Sequence, residues 1–361
     1  MEVKTTFLNG DLSEEVYMSQ LEGFKENGKE NMVCRLKMSI YGLKQTSCQW
    51  YLKFDKIVTS FGFIENKFDQ CVYMKVNGSK YIFVVLYIDD ILLASSDVNL
   101  LNDTKRILFA NFNMKDLGKA SFVLGIEIYR DRSRNLLGLS QRAYINHCPK
   151  NDLEKDAMKT IPYASAISSL MYAQICTRPD ITFIVNVLGR YLSNPGHDHW
   201  VAAKKVMRYL QRTKDFMLVY RRVDNLDIVG YSDYHFGGCF DDRKSTSGYI
   251  FMLAGGDISW KSVKQSLIAS STMYAEFVAC YGASSQALCF YSKNNKISTG
   301  SKHMEIKYLT VKDLVIKGDT VIEHIKTESM LVDPLTKGLK PIMFKEHVVN
   351  MGVIKSFDSL I

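Results

Sequence analysis

The stretch FVVLYIDDILLA, residues 83–94, constrains the fold most, because it places two adjacent carboxylates inside an apolar run. In one continuous strand, either Asp89 or Asp90 would point into apolar packing, which is unfavourable for an unpaired charge. Two strands joined by a tight turn avoid this conflict. The pattern therefore predicts a hairpin with arms at Phe83–Tyr87 and Ile91–Ala94 and with both acids at or beside its tip.

Two interpretations of this acidic tip remain open from the residues alone. Adjacent carboxylates repel each other unless a cation lies between them, so Asp89 and Asp90 are typical of a Mg²⁺ site. Aspartate is also a frequent turn former, so the same pair suits a hairpin turn that binds nothing.

The composition is that of a globular protein with more than one domain. The 361 residues are 47% hydrophobic and 23% charged, and the net charge of +8 favours a polyanionic partner such as nucleic acid. No apolar run reaches the roughly 18 residues of a membrane span. The eight cysteines contain no CxxC pair, and the N-terminus has the pattern of neither a signal nor a transit peptide. We expect an intracellular protein, cytoplasmic or nuclear rather than secreted, with no membrane partner.

The order of strand and helix patterns predicts an α+β fold, with a mixed sheet and helices packed on one face. Helical periodicity covers Tyr41–Phe61 and Val98–Phe112, and Phe122–Arg130 has the pattern of one strand. From about residue 147 the pattern is mostly helical, and from 226 it is strand, turn, strand and then helix. We therefore expect a first α+β domain over 1–146, a helical connection over 147–225, an α/β domain over 226–340 and a tail over 341–361.

A second acidic pair and a basic stripe also have two interpretations each. Asp233 ends a predicted strand and Glu276 lies early in the helix that follows, which suits a second carboxylate metal site or two ordinary surface residues. The basic stripe lies on the helix before Thr213 and suits either a solvated face or a phosphate-binding face. Its residues are Lys204, Lys205, Arg208 and Arg212.

Several motifs resemble those of a known family. YIDD in its apolar hairpin resembles the YxDD motif of reverse transcriptases. VKTTFLNGDLSEEVYM and SIYGLKQTSCQWY resemble two palm motifs of copia-type retrotransposon Pol polyproteins. The connecting segments of that family are similar to IPYASAISSLMYAQICTRPDI and YLSNPGHDHWVAAKKVMRYLQRT, and its ribonuclease H region is similar to GYSDYHFGGCFDDRKSTSGYIF and VDPLTKGL. The resemblance covers essentially the whole chain, in family order.

The resemblance implies a reverse transcriptase palm, a helical thumb-like connection and a ribonuclease H-like domain. The implied activities are RNA-directed DNA polymerase and ribonuclease H. The implied partners are an RNA template, a DNA primer and a deoxynucleoside triphosphate, with two Mg²⁺ ions as cofactors.

The resemblance also implies which residues form the sites, namely those at positions that match the family's motifs. Metal-binding catalytic carboxylates of the palm would be Asp89, Asp90 and Glu2. Nucleotide-binding residues would be Phe7, Tyr41, Gly42 and Lys44, with Phe7 at the position of an aromatic gate against the 2′-hydroxyl. Ribonuclease H carboxylates would be Asp233 and Glu276, both metal-binding, and Glu305 at the position of a further aspartate.

The chain also departs from the family pattern. Glu2 stands where the first palm motif has aspartate, Thr46-Ser47-Cys48 replaces Ala-Pro-Arg, and Tyr274 replaces a glutamate. The segment after the ribonuclease H helix is too short for the strand that carries a third carboxylate. A second place at which residues of the family pattern are missing within the chain is QRAYINHCPKND. These departures indicate a truncated, internally deleted copy without the fingers.

The departures predict that both activities are impaired. We expect primer extension below detection, with no rescue by Glu2→Asp, and no ribonuclease H cleavage. The alternatives are an active enzyme, a non-catalytic relic that binds nucleic acid weakly, and an eroded copy with no role.

Overall fold

The computed structural model describes the chain apart from residues 13, 25–27, 29–31, 147–162, 240, 292–314, 317, 319–320, 327–328 and 361. The described residues form two compact units, Met1–Ala120 and Ser121–Ile361. The first unit therefore ends earlier than the predicted boundary at residue 146. The reason is that the strands after residue 121 belong to a sheet with Met217–Arg221, far along the chain.

The first unit contains an antiparallel sheet and two helices. Its elements are β1 (Glu2–Val3), β2 (Tyr17–Ser19), β3 (Val33–Arg35), α1 (Thr46–Ser60), β4 (Ile64–Glu65), β5 (Val72–Asn77), β6 (Lys80–Tyr87), β7 (Asp90–Ser95), α2 (Val98–Asn111) and β8 (Met114–Lys115). Six strands form one sheet in the order β4-β5-β6-β7-β1-β8, and β2 pairs with β3 separately. Every pairing among these described strands is antiparallel, so the predicted mixed sheet was wrong.

Both helices of the first unit pack on the same face of the six-stranded sheet, as predicted. Helix α1 buries residues four apart, Trp50, Phe54 and Val58, and α2 buries Leu108 in the same apolar core. Strand β6 alternates: its residues 82, 84 and 86 are buried in this core, whereas Phe83 and the aromatic residues on either side of it stay accessible. The opposite face of the sheet is therefore open in this unit.

Helix α1 begins later than the predicted start at Tyr41. Gly42 has a φ of +96°, a left-handed conformation that ends any helix through this position. The Thr46 hydroxyl donates to the carbonyl of Ile40 (2.8 Å), which fastens the segment before the helix. Tyr41 to Lys44 therefore form an exposed or half-buried turn in front of α1.

The second unit contains two antiparallel sheets and several helices. Its elements are β9 (Phe122–Val123), β10 (Ile126–Asp131), β11 (Leu136–Ser140), α3 (Arg142–Asn146), α4 (Tyr163–Thr177), α5 (Thr182–Gly189), α6 (His197–Arg212), β12 (Met217–Arg221), β13 (Val229–His235), β14 (Thr246–Leu253), β15 (Gly256–Lys264), α7 (Thr272–Tyr291), α8 (Asp333–Thr336), α9 (Pro341–Asn350) and β16 (Val353–Ile354). One sheet has the order β16-β12-β11-β10-β9 and the other has the order β13-β14-β15.

The three-stranded sheet of the second unit carries two helices. Helix α7 packs against β13 and β14, and the short α8 packs against β14. Gly248 on β14 permits the close approach of α8, because a Cβ there would lie 2.8 Å from Val332 Cγ1 and 3.0 Å from Thr336 Cγ2. The backbone of this strand therefore determines where α8 lies. In the described part of the chain, no helix is both long and apolar enough to cross a membrane.

Candidate active site

The predicted acidic hairpin is confirmed. Strands β6 and β7 pair antiparallel, with Leu86 opposite Ile91 and Tyr87 opposite Asp90. The two residues between the arms are Ile88 and Asp89. Asp89 therefore lies in the turn and Asp90 is the first residue of the returning strand, as the apolar pattern predicted.

The tip of the hairpin is fastened to α1 by a side chain that the sequence pattern did not identify. The indole Nε1 of Trp50 donates a hydrogen bond to the carbonyl oxygen of Ile88 (2.8 Å), and Trp50 is only 2% exposed. Ile88 has a φ of 54°, which a β-branched residue rarely adopts. The helical periodicity of residues 41–61 identifies Trp50 only as an apolar position, although a buried indole N–H usually requires an acceptor.

Glu2 lies beside the acidic tip. Strand β1 is inserted between β7 and β8, with Glu2 opposite both Asp90 and Lys115. Backbone hydrogen bonds fix this position, since Val3 N donates to Asp89 O and Ile91 N donates to Met1 O, both at 2.8 Å. Directly opposed residues place their side chains on the same face of a sheet. Glu2 and Asp90 are therefore neighbours on the face opposite the helices.

The electrostatics of this corner are unfavourable without a cation. Burial is the main cause of the raised pKa of Asp90, the Asp89 carboxylate adds to it, and Glu2 adds a smaller contribution. The terminal amine of Met1 opposes these effects. The three acids therefore repel one another where β1 meets the hairpin.

The donor chemistry at this corner suits Mg²⁺. Among the described residues, no group of three or more His, Cys, Asp or Glu side chains is arranged to hold a metal ion. Polymerase-type Mg²⁺ sites, however, use one or two carboxylates together with phosphate oxygens of the substrate. The adjacent carboxylates Asp89 and Asp90 satisfy that smaller requirement.

The structure brings two of the four predicted nucleotide-binding residues into contact. The rings of Phe7 and Tyr41 meet edge to face, with centroids 4.9 Å apart. Phe7 lies in a short 3-10 turn after β1, where the Thr6 hydroxyl donates to Val3 O (3.1 Å). Gly42 and Lys44 are exposed, and a Cβ on Gly42 would meet no heavy atom within 4 Å.

The second predicted acidic pair lies on β13 and α7, which pack against each other. Asp233 lies within β13, and its Oδ2 accepts a hydrogen bond from Thr336 Oγ1 (2.8 Å). Glu276 is exposed on α7, and no hydrogen bond or metal-type cluster among the described residues joins it to Asp233. The predicted Glu305 lies outside the described residues, as do residues 292–314 after α7 and the second half, 147–152, of the stretch QRAYINHCPKND.

A further carboxylate near Asp233, which the sequence pattern did not indicate, is Asp333. Burial is the main cause of the raised pKa of Asp233; the Thr336 hydrogen bond and Lys337 oppose the shift, and Asp333 adds to it. Lys337 Nζ lies 2.9 Å from Asp333 Oδ1 and 3.9 Å from Asp233 Oδ2. The motif VDPLTKGL contains this acid and this lysine, but nothing in its pattern indicates a partner one hundred residues earlier.

Known proteins match this chain along most of its length. A family model described as "Reverse transcriptase (RNA-dependent DNA polymerase)" matches residues 1–165. The "Retrovirus-related Pol polyprotein from transposon TNT 1-94" of Nicotiana tabacum is 37% identical over 390 aligned positions, which cover 93% of this chain and 29% of that protein. The corresponding polyproteins from transposons RE2 and RE1 of Arabidopsis thaliana are 31% and 30% identical over 98% of this chain and 27% of each relative.

The chain and the matched relatives differ in length in two respects. The chain spans less than a third of the Pol polyproteins that it matches. The alignments of 390 and 402 positions are longer than the chain of 361 residues, so these relatives contain residues within the matched span that this chain lacks.

Proposed function

Because the chain belongs to the reverse transcriptase family, as part of a copia-type retrotransposon Pol polyprotein, we propose that its first unit is the palm of an RNA-directed DNA polymerase. The observation that carries the proposal is the β6–β7 hairpin, which holds Asp89 and Asp90 at its tip and has Glu2 beside it on β1. The substrates are an RNA template, a DNA primer and a deoxynucleoside triphosphate.

Each residue of this corner has a distinct role in the proposal. Asp89, Asp90 and Glu2 hold Mg²⁺, which when bound supplies charge stabilisation for phosphoryl transfer. Trp50 keeps the hairpin tip in place through its bond to the Ile88 carbonyl.

The nucleotide is bound by the segment before α1 and by the turn after β1. The Phe7 and Tyr41 rings, which touch each other, pack against the sugar of the incoming nucleotide. Gly42 leaves room beside them, and the exposed Lys44 ammonium attracts the triphosphate.

Glu2 limits catalysis in this proposal. Glutamate is longer than aspartate by one methylene, about 1.5 Å of bond length. A misfit of this size at a reacting centre can lower a rate on the order of a hundredfold. Restoring aspartate repairs the ligand, but the exposed Lys44 ammonium attracts the triphosphate as a point charge and does not fix its orientation. We therefore expect no extension by the chain or by its Glu2→Asp variant alone.

Primer extension on a primed RNA template tests the proposal. Three proteins are compared: the chain, its Glu2→Asp variant, and that variant fused behind the segment that precedes the matching stretch in the tobacco relative. We expect extension only by the fusion. A fourth protein, the fusion carrying Asp89→Asn, should lose it.

The tobacco stretch in the same fusion serves as the positive control. Failure of our fusion while this control extends primers would overturn the polymerase proposal. Equal extension with and without Asp89→Asn would show that the hairpin is not the active site. Extension by the Glu2→Asp variant alone would contradict the argument that two defects act together.

We also propose that the second unit includes a ribonuclease H-like region without hydrolytic activity. The antiparallel strands β13, β14 and β15 followed by α7 support the likeness, together with the acid Asp233. An ammonium group beside Asp233 argues against hydrolysis, because two-metal cleavage needs several oxygen ligands free for cations. Cutting of an RNA–DNA hybrid in Mg²⁺ that Asp233→Asn removes would contradict this.

A further inference from the structure

A buried hydroxyl at the start of α1 fastens the turn that carries Tyr41. The Thr46 side chain, 3% exposed, donates a hydrogen bond to the carbonyl oxygen of Ile40 (2.8 Å) and accepts one from the hydroxyl of Ser39 (3.0 Å). Ser39 is fully buried, and its backbone N–H donates to the carbonyl oxygen of Gly10 (3.2 Å). One chain of hydrogen bonds therefore joins the segment before α1 to the turn after β1.

The position of Tyr41 depends on Thr46. More than half of the Tyr41 side chain is exposed (58%), and its ring meets that of Phe7 edge to face. Because so much of the ring is accessible, packing contributes little, and the backbone on either side sets where the ring lies. Thr46 holds that backbone on both sides: its hydroxyl bonds the carbonyl of Ile40, and its N–H donates to the carbonyl of Leu43 (3.2 Å).

The other ring of the pair, that of Phe7, is placed by close packing against the same helix. Gly10 ends the turn that carries Phe7, and a Cβ on Gly10 would lie 3.0 Å from Gln49 Cβ and 3.3 Å from Trp50 N. The turn therefore lies directly on the first residues of α1. Both rings of the pair are positioned against α1, one by packing and the other by a hydroxyl.

We propose that Thr46 is a positioning residue for the selection of deoxynucleotides, because its hydroxyl fixes the Tyr41 ring against Phe7 beside the 2′ carbon of the bound sugar. The inference rests on the proposed polymerase function, in which these two rings pack against that sugar. A ring held in one place rejects an added hydroxyl by contact, whereas a ring that can move makes room for it. By resemblance the family has alanine at this position, so the hydroxyl belongs to this chain's own sequence.

Nucleotide binding to a primed template tests the inference without requiring catalysis. The full-length chain is bound to an RNA template whose DNA primer ends in a dideoxynucleotide. The affinities for dATP and ATP opposite a template uridine are then measured in Mg²⁺ by calorimetric titration. The ratio of the two affinities isolates the sugar, since the base and the triphosphate are the same. Hydrogen exchange of the amides of residues 39–46 is measured on the same proteins.

In Thr46→Ala, the preference for dATP over ATP should fall by about threefold to tenfold, the size expected for the loss of one hydrogen bond. The amides of residues 39–46 should exchange faster. Thr46→Ser keeps the hydroxyl and should retain the preference. The matched control is Thr104→Ala, which removes another buried threonine hydroxyl (2% exposed) that donates to a helix carbonyl, that of Leu100 (2.8 Å). Both measurements should stay unchanged in this control, which separates positioning from a general loss of stability.

The behaviour of the parent separates a failure of this inference from a failure of the polymerase proposal. A parent that prefers dATP, with the same preference or the same amide exchange in Thr46→Ala, would refute the positioning role. An equal loss of preference in Thr46→Ser or in Thr104→Ala would refute it too. A parent that binds both nucleotides equally would overturn this inference alone. A parent that binds neither would overturn the polymerase proposal and this inference with it.

Discussion

At the scale of single residues, Trp50 connects the core of the first unit to the acidic hairpin. Its ring packs against Phe54 and Phe112, and its N–H holds the Ile88 carbonyl. Trp50→Phe keeps an aromatic ring but removes the donor. We expect the free energy of unfolding to fall by about 1 to 2 kcal/mol, measured by urea unfolding followed by circular dichroism.

A control variant separates the hydrogen bond from the loss of volume. Phe54→Leu reduces the same core without removing a polar contact. If Trp50→Phe alone also alters the hydrogen exchange rates of the hairpin amides, the N–H holds the tip as described. Unchanged hairpin exchange in Trp50→Phe would contradict that role.

Asp257 predicts a pH dependence of stability in the second unit. Its side chain is fully buried, and within the described structure neither carboxyl oxygen has a hydrogen-bond partner. Burial, with the Asp180 carboxylate adding to it, raises the pKa of Asp257 well above its usual value. Asp180 is itself paired with the buried Arg178, and the hydroxyl of Tyr220 donates to the Asp257 backbone carbonyl instead of its carboxyl group.

The direction of this dependence follows from proton binding. Because the pKa of Asp257 is raised in the folded chain, the folded chain holds this proton to a higher pH than the unfolded chain, which releases it above about pH 4. The contribution to stability is therefore complete below that pH and is lost as the pH rises toward the raised pKa. Asp257→Asn should stabilise the protein at pH 7, and the difference from the parent should close as the pH falls toward 4. The free energy of unfolding is measured by urea unfolding at each pH for the parent and for Asp257→Asn. A difference between the two proteins that stays constant with pH would contradict this prediction.

At the scale of elements, α6 presents three exposed cations on one side. Lys205, Arg208 and Arg212 follow one another at steps of three and four, and among the described residues none of them forms an ion pair. The other side of α6 is buried through Ala203, Val206 and Leu210. The two interpretations of this stripe, solvated or phosphate-binding, give different salt dependences.

Replacing the three cations of α6 by glutamine should weaken binding to a primed RNA template. If each cation contacts a phosphate, the slope of log affinity against log salt should fall by about 0.7 to 0.9 per cation removed. The matched control is a triple glutamine variant at the exposed Lys340, Lys345 and Lys355, with the same change in net charge. Equal slopes for both triple variants would favour a merely solvated face.

The elements that the sequence predicted well are those with strong local signals. The hairpin at residues 83–94 followed from acids that an apolar run cannot bury, and α2 was correct to within one residue. The pattern of Phe122–Arg130 predicts one strand, but the segment forms β9 and β10 around Leu124 and Gly125, which have φ values of 50° and 74°. Leucine is not one of the residues whose presence indicates a turn.

The predicted functional sites differ in the same respect, because only residues close together in sequence give a local signal. Asp89 and Asp90 are adjacent in sequence, so their pattern showed them as a pair. The pairing of Asp233 with Asp333 depends on where α8 lies on the sheet. No local spacing encodes that contact, whereas the predicted pairing of Asp233 with Glu276 rests on a strand end and the helix that follows it.

At the scale of the whole molecule, the two units are expected to fold separately. The buried core that joins α1, α2 and the six-stranded sheet lies entirely within Met1–Ala120. A fragment of residues 1–120 should therefore unfold cooperatively in urea. Trp50 reports on it alone, because the other two tryptophans, Trp200 and Trp260, lie in the second unit.

Fluorescence of the fragment and far-ultraviolet circular dichroism should then give the same midpoint. A Phe54→Ala fragment serves as the comparison and should unfold at lower urea, because it creates a cavity in this core. A fragment that unfolds gradually, or whose two signals do not coincide, would show that residues 1–120 are insufficient.

The order of strands in the five-stranded sheet has a consequence for synthesis on the ribosome. Strand β12 (Met217–Arg221) lies between β11 and β16, and β16 is Val353–Ile354. One edge of β12 therefore has no strand to pair with until β16 is translated, on the order of ten seconds later at cellular elongation rates. During that interval the nascent chain exposes an unpaired strand edge, the kind of surface to which another nascent chain in the same polysome can add.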